Sequence, residues 1–306
     1  MSAEWIAISN ALADATQNAA AHTVAVHSEP RGSSSGIIWR PGLIVTAEHA
    51  LRRDEEIHVT LPDARVASAK LLGRDPSTDL ALLRCEEATV ASPNLVDTTM
   101  LKPGQLTLVV GRTRASGPVA ALGVVSLAAK ERTLWGGTAI APYVRIDVAV
   151  QRTAVGGAVV SASGEIAGVA TPKFAPVGAL ALPVATVNRV LDALLAKGHI
   201  PRGYFGIGLQ PVRLPESLRQ SLQRREKTAA IVLEVELGGP ADAAGVVIGD
   251  ILIGMGGKPV VRLEDVHAHL HGDSIGKVVS AEFLRGGVRR EASIRVADRP
   301  NGDNPR

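Results

Sequence analysis

Aromatic residues make up 3% of the 306-residue chain, against 46% hydrophobic residues in all. A core of ring systems is therefore excluded, and the buried surface must be built from Val, Leu, Ile and Ala. Cysteine is scarcer still, with Cys85 standing alone. A single thiol closes no intramolecular disulfide and builds no thiolate metal site. No uninterrupted apolar run is long enough to cross a bilayer as a helix. The stretch from Met1 to Ala21 lacks a basic start followed by an apolar run, so it does not read as a secretory signal. Taken as complete, the sequence reads as cytoplasmic; with a leader removed it would be periplasmic. Charge is nearly balanced at a formal +3. The densest basic clusters, Arg224-Arg225 and Arg289-Arg290, have no interleaved aromatics of the kind a nucleic-acid surface uses. They read as solvated faces, and nucleic acid is not an expected partner.

What is present is organised in two textures. Trp5 to Ala20 is Ala-rich, with Ile8, Leu12 and Ala15 at helical spacing, and predicts a leading helix. From Thr23 onward short β-rich runs alternate with Gly, Pro, Asp and Ser. They include Thr23–His27, Gly36–Trp39, Leu43–Thr46, Ile57–Leu61, Leu80–Leu83, Leu106–Val110, Tyr143–Ile146 and Ala158–Val160, with a turn at Ser161–Gly164. About a dozen such strands without intervening helices indicate an antiparallel sandwich or barrel. The 31 glycines suit the many tight turns this needs. Val187, Val190, Leu191, Leu194 and Leu195 then fall on one helical face, with Gly198 placed as C-cap. After a linker, a separate unit begins. Ile231–Val235 and Asp250–Ile253 read as strands, Pro240–Ala244 as a short helical turn, Leu263–Leu270 as a helix, and Arg285-Gly-Gly287 as a hairpin turn.

Three segments carry chemistry. They are Gly42-Leu-Ile-Val-Thr-Ala-Glu-His49, Gly73-Arg-Asp-Pro-Ser-Thr-Asp-Leu-Ala-Leu-Leu83, and Ile146-Asp-Val-Ala-Val-Gln-Arg-Thr-Ala-Val-Gly-Gly-Ala-Val-Val160. In this order they resemble the HtrA family of trypsin-like serine proteases, with His49 and Asp79 at the positions of the family's catalytic histidine and aspartate. Arg202-Gly-Tyr-Phe-Gly-Ile207, Gly239–Gly245 and Gly249–Ile253 resemble the family's PDZ module. The resemblance covers about residues 23 to 298. It implies a mostly β fold: two six-stranded antiparallel barrels followed by an α+β PDZ domain. The expected divisions are an N-terminal helical segment (1–22), a double barrel (23–196), a linker (197–204), the PDZ domain (205–298) and a disordered tail (299–306). The residues Tyr204, Phe205, Gly206 and Ile207 would form the carboxylate-binding loop and first groove strand. Successive N–H groups there hold a peptide C-terminus while the peptide pairs as an added strand.

The chain departs from the family at the third segment. Aligning Gly156-Gly157 with the family's Gly-Gly puts Val155 at the nucleophilic serine, Ala154 at the asparagine and Thr153 at the preceding glycine. An isopropyl group has no lone pair for attack, and losing a triad serine costs on the order of a millionfold in turnover. Thr153 puts the oxyanion loop in doubt as well, since a β-branched residue resists backbone angles that glycine takes freely. Glu48 replaces the Ala or Asn usual before the histidine and would perturb His49.

His49 and Asp79 therefore read as a vestigial pair. Asp147 reads as structural, Ser161 and Ser163 as turn residues, and Cys85 as a core residue. His267, His269 and His271 read as surface histidines without a third metal ligand. No cofactor or metal is implied. The expected function is that of an HtrA-like pseudoprotease binding protein C-termini or unfolded segments, with an active paralogue as a further partner. The alternative is an active serine-type endopeptidase with an unusual nucleophile. The family's trimers, built on an aromatic-containing N-terminal segment, suggest a homo-oligomer, although Trp5 is the only aromatic in that part of the chain.

Overall fold

A computed structural model describes residues 3–28, 32–51, 57–133, 139–175, 177–270 and 274–299. The chain forms two compact units divided between Ile200 and Pro201.

In the first unit, helix α1 (Ala3–Ala20) leads into β1 (Thr23–Ser28), β2 (Gly32–Arg40), β3 (Leu43–Ala47), β4 (Ile57–Thr60), β5 (Val66–Asp75) and β6 (Leu80–Arg84). These strands close an antiparallel barrel in the order β1-β2-β3-β6-β5-β4. There follow β7 (Leu106–Thr113), β8 (Gly117–Ala129), a short hairpin of β9 (Arg132–Thr133) and β10 (Ala139–Ile140), then β11 (Tyr143–Asp147), β12 (Ala158–Val160), β13 (Ile166–Thr171) and β14 (Ala179–Pro183). The second barrel closes in the order β11-β14-β13-β12-β7-β8. Helix α2 (Val184–Lys197) completes the unit.

The sequence pattern follows from where the cores lie. Val24, Val26, Ile38, Ile44, Val59 and Leu83 fill the first barrel. Their alternates Ile37, Trp39, Val45 and Leu82 point outward into a second core, shared with Leu108, Val110, Val160 and Leu182 of the second barrel. Strand β3 is thus buried along its whole length and reads as a continuous apolar run instead of an alternating one. Arg112 ties the layers together. Its guanidinium, 6% exposed, donates to the carbonyls of Thr23 and Ala20 at 2.8 Å each.

Both helices form where the sequence places them, and the structure corrects only which of their apolar residues are buried. In α1 only Ala15, Ala19 and Ala20 are buried, while Ile8 is 42% exposed, because the helix meets the barrels only through its C-terminal half. Through Ala15, Ala19 and Ala20 the leading helix joins the barrel core in the shared cluster. In α2, Val187, Val190, Leu191 and Leu194 are buried as expected, but Leu195 is 39% exposed. It follows Leu194 by one residue, about 100° around the helix, and so leaves the buried stripe. Gly198 caps α2 at φ 72°, its N–H donating to Leu194 O at 2.9 Å.

The second unit comprises β15 (Gly203–Tyr204), β16 (Ile207–Arg213), α3 (Glu216–Ser221), β17 (Thr228–Val235), α4 (Pro240–Ala243), β18 (Ile251–Met255), β19 (Lys258–Pro259), α5 (Leu263–His267), β20 (Val278–Arg285), β21 (Val288–Arg295) and β22 (Ala297–Asp298). The sheet runs β16-β17-β18-β20-β21, so β16 is an edge. The span read as a linker is shorter than expected, since Lys197 ends α2 and Gly203–Tyr204 pairs with Ala297–Asp298. Helix α5 stops at His267, short of Leu270. Arg299, placed in the expected disordered tail, donates its N–H to Arg202 O at 2.8 Å. The remainder of that tail, and His271, lie outside the described residues.

Candidate functional site

The β3 strand ends at Ala47 and passes into a short 3-10 turn, Glu48–Ala50, that carries His49. Asp79 sits just before β6 in left-handed backbone geometry, φ 61°. Such a conformation costs a non-glycine residue roughly 1–2 kcal/mol, and strain of this kind gathers at functional sites. Hydrogen bonds hold it there. Asp79 O accepts from Glu48 N at 3.0 Å, and Asp79 Oδ1 accepts from His49 N at 2.9 Å. The His49 Nδ1 lies 2.7 Å from Asp79 Oδ2 and 2.9 Å from Oδ1. Asp79 is fully buried and also accepts a bond from Thr171 Oγ1 of β13. The imidazole is therefore oriented through Nδ1, as in a serine-protease triad.

Two residues given no role in the sequence analysis complete this corner. Lys173, two residues past Thr171, places Nζ 3.6 Å from Asp79 Oδ1, 3.1 Å from Pro76 O and 3.4 Å from Glu48 Oε2. Arg74 Nη1 lies 3.5 Å from Glu48 Oε1. The carboxylate of Glu48, expected to perturb His49, is thus engaged with Lys173 and Arg74. The sequence offered no signal for this: Thr171 and Lys173 belong to the second barrel, and only the closing of the interface brings them to Asp79.

The loop before β12 forms the other wall. Arg152–Ala154 is a 3-10 turn in which Ala154 N donates to Gln151 O at 2.8 Å and Val155 N to Arg152 O at 3.2 Å. Thr153 has no positive φ, and its carbonyl accepts from Ser35 Oγ at 2.6 Å. Val155 is 6% exposed, and its carbonyl accepts from Ser35 N at 2.8 Å. Gly156 has φ 79°, and a Cβ there would meet Ser35 O at 2.4 Å and Ala47 N at 2.7 Å. At Gly157 it would meet Val110 O at 2.4 Å. The glycine pair is therefore required by the close approach of three strands, whatever residue precedes it.

The other hydroxyls are engaged in their turn: Ser161 Oγ and Ser163 Oγ are 2.8 Å apart, and Ser163 Oγ donates to Glu165 at 2.7 Å. Cys85 is buried, and burial pushes its thiol up. Asp147 is exposed at the end of β11. Among the described residues there is no cluster of His, Cys, Asp and Glu able to hold a metal.

In the second unit Tyr204 to Ile207 leads into the edge strand. Gly206 turns at φ 72°, its carbonyl accepting from Glu236 N at 2.9 Å, while Phe205 O accepts from Ala241 N at 2.9 Å. Among the described residues, the N–H groups of Phe205 and Gly206 donate to no backbone carbonyl. Phe205 is 2% exposed and belongs to the core, so only its backbone is available to a ligand. Burial, with the nearby Glu236 carboxylate, pushes the Tyr204 phenol up. Ile207 and Leu209 of β16 share an apolar cluster with Leu263 and Val266 of α5.

Paired six-stranded barrels with an oriented His–Asp couple between them, followed by a unit whose edge strand begins at a glycine turn, define a trypsin-like peptidase fold joined to a PDZ domain. Family models agree, matching a trypsin-like peptidase domain at residues 34–169 and a PDZ domain at 203–296. The chain belongs to the HtrA family. It is 31% identical over 281 residues to a probable periplasmic serine endoprotease DegP-like of Pseudomonas putida, covering 90% of this chain and 58% of the relative. A protein of the same description from Bartonella henselae is 30% identical over 277 residues, with 89% and 54% covered. The chain thus spans little more than half the length of these relatives. Among solved structures it resembles the HtrA-type protease AlgW with decapeptide, with TM-score 0.73 and 23% identity over 95% of this chain and 99% of the other. It also resembles the serine endoprotease from Yersinia pestis, with TM-score 0.71 and 25% identity over 94% and 98%.

Proposed function

We propose that this chain is an HtrA homologue that has exchanged catalysis for binding, capturing protein C-termini or unfolded segments through its PDZ groove. The observation that carries the loss of catalysis is the loop at Val155. The residue preceding the glycine pair is a buried valine, and its N–H, the oxyanion donor of a trypsin-like site, is given to Arg152 O at 3.2 Å. A serine-type mechanism needs both the hydroxyl and that donor. Binding is supported by the glycine turn at 206, by the open edge of β16 and by the apolar wall of α5. Such a chain would hold clients by itself, as a homo-oligomer such as a trimer, or in mixed assembly with an active paralogue. The relatives are named as periplasmic, which favours the reading with a removed leader over the cytoplasmic one. Among the described residues no helix is long and apolar enough to cross a membrane.

The intact His49–Asp79 couple favours one alternative, an active endopeptidase with an unusual nucleophile. Fluorophosphonate labelling with mass spectrometry, beside degradation of an unfolded substrate such as casein, separates the two. The binding reading expects no adduct and no cleavage, together with saturable binding of C-terminal peptides that Gly206→Val abolishes. A labelled wild-type chain whose cleavage stops in His49→Ala would overturn it.

A further inference from the structure

The edge strand carries a glycine at its second residue, and what lies over it sets a preference for the ligand. Gly208 pairs with Glu234 of β17. A Cβ on Gly208 would meet Glu234 Cβ at 3.0 Å and Glu234 Oε2 at 3.4 Å. The Glu234 side chain therefore lies across the space a side chain at 208 would fill, leaning from the second strand over the edge strand. A register shift between Gly208 and Leu209 accompanies this close approach. Among the described residues, no cation pairs with Glu234 within 4 Å. Glu236, on the same side of the chain two residues on, is differently placed, its carboxylate facing the Tyr204 phenol.

We propose that Glu234 is a specificity-determining residue of the PDZ groove, selecting a Lys or Arg side chain next to the C-terminal residue of a bound peptide. The proposal rests on the groove reading above and deepens it. A peptide added to β16 with its carboxylate at the Phe205–Gly206 turn alternates its side chains between two faces. The terminal residue turns toward Ile207, Leu209 and the α5 wall, and so is apolar. Its neighbour turns to the opposite face, where Gly208 offers no side chain and Glu234 supplies a carboxylate. Had residue 208 been larger, Glu234 would have been screened from the edge.

The test uses the full chain and two fluorescent decapeptides with the same apolar C-terminal residue, one with Lys and one with Glu at the penultimate position. Anisotropy titrations at low and high salt compare wild type with Glu234→Gln, with a thermal melt to show that the variant folds. A partly exposed charge pair predicts about three- to fivefold tighter binding of the Lys peptide, shrinking in high salt and vanishing in Glu234→Gln. Equal affinities in wild type, or the same preference in Glu234→Gln, would overturn the assignment while leaving the groove reading intact. A wild-type chain that binds neither peptide would overturn the groove reading and this inference together.

Discussion

Lys173, from the loop after β13, sets its ammonium 3.6 Å from the Asp79 carboxylate that orients His49. The two residues belong to different barrels, so the ion pair works across the cleft. Glu48 shares the same ammonium at 3.4 Å. The corner thereby fastens the two barrels to one another.

That fastening is measurable. Lys173 is 31% exposed, so screening by solvent discounts it, and Lys173→Met is expected to lower stability by about 0.5–1 kcal/mol. The difference should shrink in high salt. Denaturant melts of wild type and variant at two ionic strengths check this; a salt-independent difference would point to lost packing instead.

On the binding reading, supplying a hydroxyl at residue 155 should not by itself produce an active site. Val155→Ser is expected to stay unlabelled by a fluorophosphonate, because the N–H of residue 155 remains committed to Arg152 O. Adding Thr153→Gly and Ala154→Asn frees the turn to re-form, and labelling should then appear. A Val155→Ser single variant that labels at once would show that the donor is available after all.

Arg112 makes its bonds in a nearly dry interface. Arg112→Leu leaves the carbonyls of Ala20 and Thr23 without their donor and should cost about 1–3 kcal/mol. Hydrogen exchange should rise first at the C-terminal end of α1, which those bonds cap.

Asp250 gives the PDZ unit a defined acid sensitivity. Burial by itself would raise its pKa, but the hydrogen bonds from Arg285 Nε and Nη2, at 2.8 and 2.7 Å, and from Val247 N outweigh it, and the carboxyl is held below its usual value. A depressed carboxyl contributes stability that is complete above its unfolded pKa, near 4, and is lost as pH falls through the lower folded value. Unfolding of the PDZ unit should therefore become easier from about pH 4 downward. Asp250→Asn should flatten that dependence, as seen in denaturant melts across the acid range.

Much of this protein is legible in its sequence. The order of the His49, Asp79 and glycine-pair segments, the strand runs and the helix capped by Gly198 are local patterns, set by backbone preference and side-chain alternation over a few residues. The turn hydroxyls of Ser161 and Ser163 are legible for the same reason. The limits lay where burial depends on distant chain. Ile8 lies on the part of its helix that does not meet the barrels, Leu195 falls beside the buried stripe of α2, and α5 ends earlier than its apolar spacing suggests. The sequence by itself determined which residue types stand in the three segments that resemble the family's, including the valine before the glycine pair, because identity is a local fact. Only tertiary structure decided what surrounds those residues, with Thr171 and Lys173 on Asp79 and Ser35 on the loop at Val155, and, within the second unit, that Glu234 lies across Gly208. The first two are contacts between parts of the chain far apart in sequence, made by the packing of the barrels, and the third is set by sheet register; no local pattern encodes a partner chosen in either way.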